Sequence, residues 1–507
     1  MIKAVENFTY YVENAPLQAY AGQMFSLPEE DEAFLISEGR AVEVEEPGGG
    51  DVSKLIERSL TEITDNNASE IGSFAFYHYH SLTKASFANC EEIGDYAFQS
   101  ATGLSEINTP KCKKVGGNAF ENCSCLTSAF FPECSYIDGY AFRSCSALSE
   151  LSFPTCSYIN YSAFVNNRNI TKASFPLCSF VGSGAFMGCS KLSQISFPVC
   201  EAILSGAFSD CQSLAEAVFP ELTTMGSCAF QNCFALSYAE FPKISIINSS
   251  AFYNCSSLEE ISIPNCSVIR DSAFYSCKNL LEVSFPNCSS IGSYAFMYCS
   301  KLSQISLSKC TVIPTGAFSG CRSLSSVYMP SCTIINGTGL AMCSIPYVLS
   351  TDFPECVSVG GHGFSGCSNL SEVYFPKCSN ILMGAFASCS NLEVAIFPLA
   401  ASVSNDAFRN CPNLRLVSLG SCTSIGYSAY LNDTRLVSLM LLGSSVPQLI
   451  NPSVFSSTPI GGYSAVAGEY GSIYVKASMY SLFIENVWWS RFTSRFVSLT
   501  DEQIAAL

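Results

Sequence analysis

The sequence has few charged side chains, and most of those it has are acidic. Only 13% of the 507 residues are Asp, Glu, Lys or Arg, and the net charge is −17. An average soluble domain carries about twice that charged fraction. Nucleic acids and anionic membrane surfaces are bound by stripes of Lys and Arg, and no basic run occurs here. The composition therefore argues against both as partners.

Long apolar runs are also missing. No apolar stretch reaches the ~18 residues that a membrane-spanning helix needs, so we expect no membrane insertion. The N-terminal stretch MIKAVENFTYYVENAPL lacks the long apolar core of a secretory signal. The sequence thus predicts either action inside a cell or export by a route that needs no such signal.

Side chains suited to catalysis or metal binding are scarce. The three histidines, His78, His80 and His362, form no Ser/Cys–His–Asp arrangement that would pair a nucleophile with a base. The phosphate-binding pattern GxxxxGK[ST] and the zinc pattern HExxH do not occur. Cys123 and Cys125 form a CxC, whereas zinc sites favour tight CxxC pairs. We therefore expect no enzymatic activity, no metal and no cofactor.

What the sequence does contain is a 22-residue stretch that recurs head to tail. The clearest copy is CSSLEEISIPNCSVIRDSAFYS, Cys255 to Ser276. The Phe of its AF dipeptide returns every 22 residues at Phe76, Phe98, Phe120, Phe142, Phe164, Phe186, Phe208, Phe230, Phe252, Phe274, Phe296 and Phe318. After a 24-residue step from Leu340 to Phe364, the period resumes at Phe386, Phe408 and Tyr430. A fixed period of this length predicts a solenoid.

Each repeat is predicted to form one coil of that solenoid. Ile261 and Ile263 alternate with Glu260 and Ser262, and alternation of period two indicates a half-buried strand. Pro264 ends the strand because proline donates no ladder hydrogen bond. Stacked coils place each strand parallel to its copy in the next repeat, about 4.8 Å away. A coil buries its apolar residues only against its neighbours.

Cysteine is abundant and periodic. Of the 28 cysteines, 26 occupy two repeat positions, for example Cys255 and Cys277 in one row and Cys266 and Cys288 in the other. Side chains of successive copies point the same way, which fits disulfide torsion angles poorly. We interpret the rows as ladders of small buried thiols. A disulfide ladder or a metal ladder is the alternative.

The repeat LxxIxxPxCxxIxxxAFxxC, over roughly residues 55–445, resembles the BspA-like (Treponema-type) leucine-rich repeat. The resemblance implies a right-handed, curved solenoid whose concave face is the main parallel sheet. It also implies a role in adhesion or binding rather than catalysis. We therefore expect a mainly β repeat solenoid of about 17 coils, with a small α+β N-terminal module and a C-terminal cap.

The limits of the repeat predict four regions. They are a small N-terminal anchoring module (1–46), a Gly-rich linker and start (47–53), the solenoid (54–445) and a capping region (446–507). In the first, strands are predicted at Phe8–Val12, Met24–Leu27 and Ala41–Val44. A helix is predicted over about residues 28–37, where Pro28 suits the first helical position.

Two segments near the N-terminus suggest a biological setting. The pattern AGQxFxLxxxxAxxLIxxGxAxxV resembles small modules at the start of some bacteriophage structural proteins. The opening LIERSLTEIT followed by IGxxAF resembles repeat proteins of phages and prophages of Firmicutes. These resemblances imply a virion-associated protein whose N-terminal module binds a virion or another assembly. A host bacterial cell-surface protein is the alternative.

Candidate binding residues lie at the outward strand positions of the main sheet. Two groups combine Tyr with carboxylates on the expected concave face: Tyr328, Asp352, Glu372 and Tyr374, and Tyr238, Glu240, Glu260 and Glu282. Tyr gives rigid stacking area with a polar tip, which suits a carbohydrate or protein ligand. The plainer interpretation is that Tyr favours strands and Glu confers solubility.

The C-terminal cap contributes one further candidate. A strand at Ser472–Val475 is predicted to lead into an amphipathic helix. Its inward face carries residues at helical spacing, namely Tyr480, Phe483, Val487 and Trp488. The plain interpretation is a lid over the last coil. A lid does not easily bury two adjacent tryptophans, so the alternative is an exposed Trp489 that stacks on a sugar or a partner.

Together these features predict a non-enzymatic adhesion protein. The solenoid would present its face to a cell-surface glycan or protein receptor, in a virion-associated or extracellular location. The competing hypotheses are a structural spacer or decoration protein without a specific ligand, and a host bacterial surface protein.

Overall fold

The computed structural model describes five short N-terminal strands, within residues 2–4, 8–12, 15–19, 24–25 and 41–43, and then residues 60–506. By its internal contacts the chain divides into two compact units, Met1–Leu192 and Ser193–Leu507. The helix predicted over residues 28–37 and the linker predicted over residues 47–53 lie outside the described residues.

The N-terminal strands form two small antiparallel groups. Ile2–Ala4 pairs with Met24–Phe25 on one side and with Ala41–Glu43 on the other. Phe8–Val12 and Ala15–Ala19 form a hairpin. The strands predicted near residues 8, 24 and 41 are confirmed, whereas Ile2–Ala4 and Ala15–Ala19 were not predicted. An anchoring role for this region stays a prediction.

The rest of the first unit consists of coils with two strands each, which we call the first-row and second-row strands. First-row strands are Glu62–Thr64, Lys84–Ser86, Glu106–Asn108, Ser128–Phe130, Glu150–Ser152 and Lys172–Ser174. Second-row strands are Glu70–Ile71, Glu92–Ile93, Lys114–Val115, Tyr136–Ile137, Tyr158–Ile159 and Phe180–Val181. Neighbours in a row pair in parallel, as Lys84 does with Glu106.

The second unit repeats this pattern up to the cap. Its first-row strands are Gln194–Ser196, Glu216–Val218, Tyr238–Glu240, Glu260–Ser262, Gln304–Ser306, Ser326–Tyr328, Tyr347–Val348, Glu372–Tyr374, Val394–Phe397, Leu416–Leu419 and Ser438–Leu441. Its second-row strands are Ala202–Ile203, Thr224–Met225, Ile246–Ile247, Val268–Ile269, Ser290–Ile291, Val312–Ile313, Ile334–Ile335, Ser358–Val359, Asn380–Ile381, Ser402–Val403, Ser424–Ile425 and Gln448–Leu449. The predicted parallel solenoid is confirmed.

The core of each unit is a stack of identical side chains. The middle residue of a first-row strand points inward, as buried Ile261 does between Glu260 and Ser262. The AF phenylalanines stack face to face between coils; the Phe252 and Phe274 ring centroids lie 5.4 Å apart with planes within 4°. Repetition of one buried residue every 22 positions thus produces continuous aromatic and aliphatic columns.

The segment around the AF dipeptide is a run of tight turns. The residues two before and two after each Phe adopt the left-handed conformation, as Ser272 (φ 55°) and Ser276 (φ 58°) do. Alternate N–H groups donate to the next coil, for example Phe274 N–H to the Ala295 carbonyl at 2.7 Å. Left-handed residues occur singly because of their steric cost, so the stacking hydrogen bonds must hold them.

The periodic thiols satisfy backbone carbonyl groups inside the coils. In one row, Cys277 Sγ donates to the carbonyl of Phe252, 25 positions earlier, at 3.1 Å. In the other, Cys266 Sγ lies 3.5 Å from the carbonyl of Val268. Asn167 replaces a cysteine in the row that contains Cys277. Its Nδ2 donates to the equivalent carbonyl, that of Phe142, at 2.8 Å. The prediction that the two cysteine rows are buried is confirmed, since 26 of the 28 cysteines are buried.

Thiol reactivity should report this burial directly. Of the 28 free cysteines, only Cys125 is exposed and only Cys228 is half-buried. We expect a chromogenic disulfide reagent to modify Cys125 quickly and Cys228 slowly in the folded chain, and the remaining thiols only after denaturation. Cys125→Ser should remove the fast phase. Fewer than 28 reactive thiols in denaturant without reductant would show that disulfides form after all.

The C-terminal region adds two more strands to the row of first-row strands and also contains several short helices. Ser472–Lys476 pairs with Ser438–Leu441 and with Phe496–Leu499. Around these strands lie three 3₁₀ helices, Pro452–Phe455, Ala477–Met479 and Ser490–Arg495, and two α-helices, Tyr480–Glu485 and Asp501–Ala505. The predicted strand at residue 472 is confirmed, and the helix after it is much shorter than the apolar spacing suggested.

Candidate binding surface

One predicted group comprises Tyr238, Glu240, Glu260 and Glu282. The first three lie at outward positions of first-row strands. Tyr238 pairs with Glu260 in the next coil, and Glu282 forms an isolated bridge with Gln304. The Tyr238 hydroxyl donates to Glu240 Oε2 at 2.9 Å. The hydrogen bond between Tyr238 and Glu240 therefore already occupies part of the polar surface of the group.

The electrostatics of this group are those of a negatively charged strip. The hydrogen bond to Glu240 raises the pKa of the Tyr238 phenol above its usual value. Partial burial and the nearby carboxylates of Glu240, Glu260 and Glu216 act in the same direction. An accumulation of carboxylates that raises a neighbouring pKa disfavours further anions. The strip would therefore repel an anionic partner.

The other predicted group surrounds the irregular coil, and one member, Asp352, is placed differently from the prediction. Asp352 does not lie on a strand; it belongs to a turn after Tyr347–Val348. Its Oδ2 accepts the Leu349 N–H at 2.7 Å, and its own N–H donates to the Leu349 carbonyl. Burial raises the pKa of the Asp352 carboxyl, although the hydrogen bond from Leu349 opposes the shift. The Asp352 carboxylate thus stabilises the turn, because Asp side chains readily form hydrogen bonds with nearby backbone groups.

The turn shifts the register of the strand by three residues. Tyr347 pairs with Glu372, and Val348 pairs with Val373, a separation of 25 rather than 22 positions. The exposed side chains that adjoin Tyr374 are therefore Tyr347 and Leu349, which were not predicted. They are 52% and 47% exposed. The regular 22-residue period predicts Asp352 as the neighbour of Tyr374, because it takes no account of this shift.

Five exposed side chains consequently gather at the irregular coil, and we call them the irregular-coil patch: Tyr328, Tyr347, Leu349, Glu372 and Tyr374. Tyr328 ends the strand on the other side of the irregular coil, where Met329 N–H meets the Asp352 carbonyl. Large apolar side chains that are exposed together mark interaction sites more often than scattered ones do.

Outward positions beyond the patch are also unusually apolar. Tyr374 pairs with Ile396, and the same column continues through Ser418, Met440 and Tyr474. Elsewhere in this unit the corresponding column holds residues such as Ser196 and Ser306. The patch therefore stands at one end of an apolar strip that runs along the sheet toward the cap.

The alternative in which Trp489 is exposed as a binding residue is wrong. Trp489 is fully buried, and its Nε1 donates to the Pro447 carbonyl at 2.7 Å. The helix ends at Glu485, and Asn486 Oδ1 then accepts the Trp488 N–H at 3.0 Å. The chain therefore leaves helical phase, so that Val487 and Trp488 are exposed instead of facing the core.

In residues 60–506 and the five N-terminal strands, no three or more His, Cys, Asp or Glu side chains converge as a metal site would require. Within that same portion, none of the helices combines the length and apolarity needed to cross a membrane.

A stack of parallel two-stranded coils, each stabilised by its neighbours, defines the class of repeat solenoids. The BspA-type leucine-rich repeat model matches residues 69–193, 179–302, 223–346 and 347–460, which together span most of the sequence. The chain therefore belongs to the BspA-type leucine-rich repeat family. Proteins of this type are surface or adhesion-type binding proteins, usually at the cell surface or extracellular.

Several solved structures are similar to this chain. A leucine-rich repeat protein of Bacteroides ovatus has 20% identity and a TM-score of 0.44, over 76% of this chain and 88% of that one. A leucine-rich cell surface protein of Faecalibacterium prausnitzii has 24% identity and a TM-score of 0.36, over 73% and 88%. The pneumococcal vaccine antigen PcpA has 14% identity and a TM-score of 0.29, over 88% and 89%. No curated protein matches the sequence.

Proposed function

We propose that this chain is a non-enzymatic binding protein that captures a cell-surface receptor, a glycan or a protein, through the irregular-coil patch. The observation that carries the proposal is the exposure of Tyr347, Leu349 and Tyr374 side by side on a rigid sheet. Tyr is enriched in protein interfaces because it combines contact area with a polar tip. The apolar strip that continues toward the cap favours a protein surface over a single sugar.

The test is capture of whole bacterial cells by the full chain and by the triple variant Tyr347→Ala, Leu349→Ala, Tyr374→Ala. We expect the triple variant to bind at least about tenfold more weakly, because a few buried aromatic anchors dominate most interfaces. Its thermal unfolding should barely change, since the three side chains are exposed. Protease treatment of the cells should abolish capture if the receptor is a protein, whereas periodate should do so if it is a glycan.

A matched control removes the same side-chain types elsewhere. Tyr161, Leu177 and Tyr427 are 47%, 54% and 48% exposed and lie outside the patch. Their triple substitution by Ala should leave capture unchanged. If neither triple variant alters capture, the patch is not the receptor site. If the unmodified chain captures no cells, the competing role as a structural spacer or decoration protein is the better one.

We further propose a virion as the setting, with the N-terminal region attached to it. The support is the resemblance of that region and of the repeat opening to segments of phage proteins. Mass spectrometry of purified virions, induced from the source strain, should detect the chain. Detection only in the cell-surface fraction would favour the alternative, a host bacterial surface protein.

A further inference from the structure

The cap of the second unit contains a cavity that lies apart from the irregular-coil patch. Its volume is about 530 Å³, which is within the usual range for small-molecule sites. Phe455 and Phe492 line it and are almost fully buried, with ring centroids 5.5 Å apart in an edge-to-face arrangement. Phe455 stacks on Tyr430 at 5.6 Å. The aromatic lining is therefore an extension of the core column and is held rigidly.

The wall of the cavity is polar and is fixed by internal hydrogen bonds. The Thr458 hydroxyl donates to the Phe455 carbonyl at 2.8 Å and accepts the Gly461 N–H. The Ser464 hydroxyl donates to the Thr434 carbonyl at 2.7 Å. These bonds shape the loop while Ser456 and Ser457 add further hydroxyl groups to the lining.

The cavity lining carries one positive charge, that of Arg491. Of the side chains that line the cavity, all in the described part of the chain, only Arg491 is charged, and it forms no ion pair with a described carboxylate. Arg495, four residues on, stacks on the Tyr470 ring at 3.7 Å. Tyr470 in turn contacts the exposed Tyr463 edge to face at 5.4 Å. Arg495 thus packs against Tyr470, whereas the Arg491 guanidinium remains available at the cavity.

We propose that this cavity binds an anionic saccharide, that is, a sugar unit carrying a carboxylate or a phosphate. Tyr463, which is 61% exposed, offers its ring to the C–H face of a sugar, and the Ser456 and Ser457 hydroxyls of the lining match the sugar's hydroxyl groups. The Arg491 guanidinium supplies a planar fork of donors that fits a carboxylate or a phosphate. In a chain of net charge −17, an unpaired guanidinium on an aromatic cavity is the feature that selects an anion.

The site is independent of the proposed receptor function, because it uses none of the residues of the irregular-coil patch. Saturation-transfer NMR and calorimetry on the full chain test it with four probes: glucuronate, glucose 6-phosphate, glucose and inorganic phosphate. We expect at least one anionic sugar to bind about tenfold more tightly than glucose or inorganic phosphate, since each of those retains only part of the contacts. The stronger of the two anionic probes identifies the preferred anion.

Variants connect binding to the cavity. Arg491→Gln should weaken binding of the anionic sugar at least about tenfold, to the level of glucose, by loss of the charge-assisted hydrogen bonds. Tyr463→Ala should weaken it as well. Arg322→Gln, an exposed arginine outside the cavity, is the matched control and should have no effect.

Three results would overturn the proposal: no saturation transfer to either anionic sugar, unchanged affinity in Arg491→Gln, or inorganic phosphate binding as tightly as the sugar phosphate. The triple variant of Tyr347, Leu349 and Tyr374 should still bind the sugar. Loss of cell capture without loss of sugar binding would therefore separate the two sites.

Discussion

Replacing Phe386 by Ala should lower the free energy of unfolding by about 3–5 kcal/mol, the usual range for a buried Phe. Phe386 is fully buried and stacks between Phe364 and Phe408, with centroids 5.3 Å away on each side. It also contacts Phe375 and Phe397 at an angle. Each such aromatic pair contributes beyond the buried area alone, so the cavity left by Ala would interrupt the column in two directions.

The loss should be local, because each coil is stabilised only by its neighbours. Hydrogen exchange measured by mass spectrometry should show the largest loss of protection in the coils around residue 386, with little change near residue 252. Phe234→Ala is the matched control: Phe234 is 37% exposed, so its removal should cost little. Equal destabilisation by the two substitutions would contradict the stacked-column account.

The 22-residue period predicted most of the fold because every coil repeats the same pattern of buried and exposed residues. Alternation around Ile261 predicted the first-row strand, and the two cysteine rows predicted buried thiols, since one repeated position has one environment. The left-handed residues around each AF dipeptide were not predicted. Their signal was nevertheless present: Asn232, Asn254 and Gly320 hold this position in their coils, and these residue types tolerate positive φ best.

The candidate site was predicted only where the period holds. Tyr374 and Glu372 lie as expected, because their coil has the regular length. In the irregular coil, the hydrogen bonds between Leu349 and Asp352 close a turn that moves the strand three residues earlier. Nothing in the spacing distinguishes an insertion before the strand from one after it. Trp489 was misplaced for a similar reason, because the helical spacing does not show that the helix ends before Asn486.

Replacing Asp433 by Asn should stabilise the protein, increasingly so as the pH rises. Asp433 occupies a cysteine position in the row that contains Cys277 and Cys411, and it is completely buried. Its Oδ1 accepts the Cys411 N–H at 2.8 Å, while its Oδ2 finds no hydrogen-bond partner among the described residues. Asn167 shows what an amide does in this slot: its Nδ2 donates to a Phe carbonyl of the preceding coil. The amide introduced by Asp433→Asn would have the equivalent carbonyl, that of Phe408, as its acceptor.

The direction of the pH effect follows from burial. Burial raises the pKa of the Asp433 carboxyl well above its usual value, and the hydrogen bond from Cys411 offsets only part of that rise. Between the ordinary pKa of an unfolded Asp, about 3.9, and the raised folded value, the native chain holds a proton that the unfolded chain has lost. The free energy of unfolding therefore falls as the pH rises from about 4.

The advantage of Asp433→Asn should thus be small at about pH 4 and reach the order of 1–3 kcal/mol or more near pH 8, the usual cost of a buried polar group left without a partner. Urea unfolding of both proteins across that pH range measures the difference. Glu393→Gln, which also removes a carboxylate but an exposed one, is the matched control and should change stability little. A pH-independent difference for Asp433→Asn would mean that the carboxyl ionises inside the folded coil, which would require a partner for Oδ2.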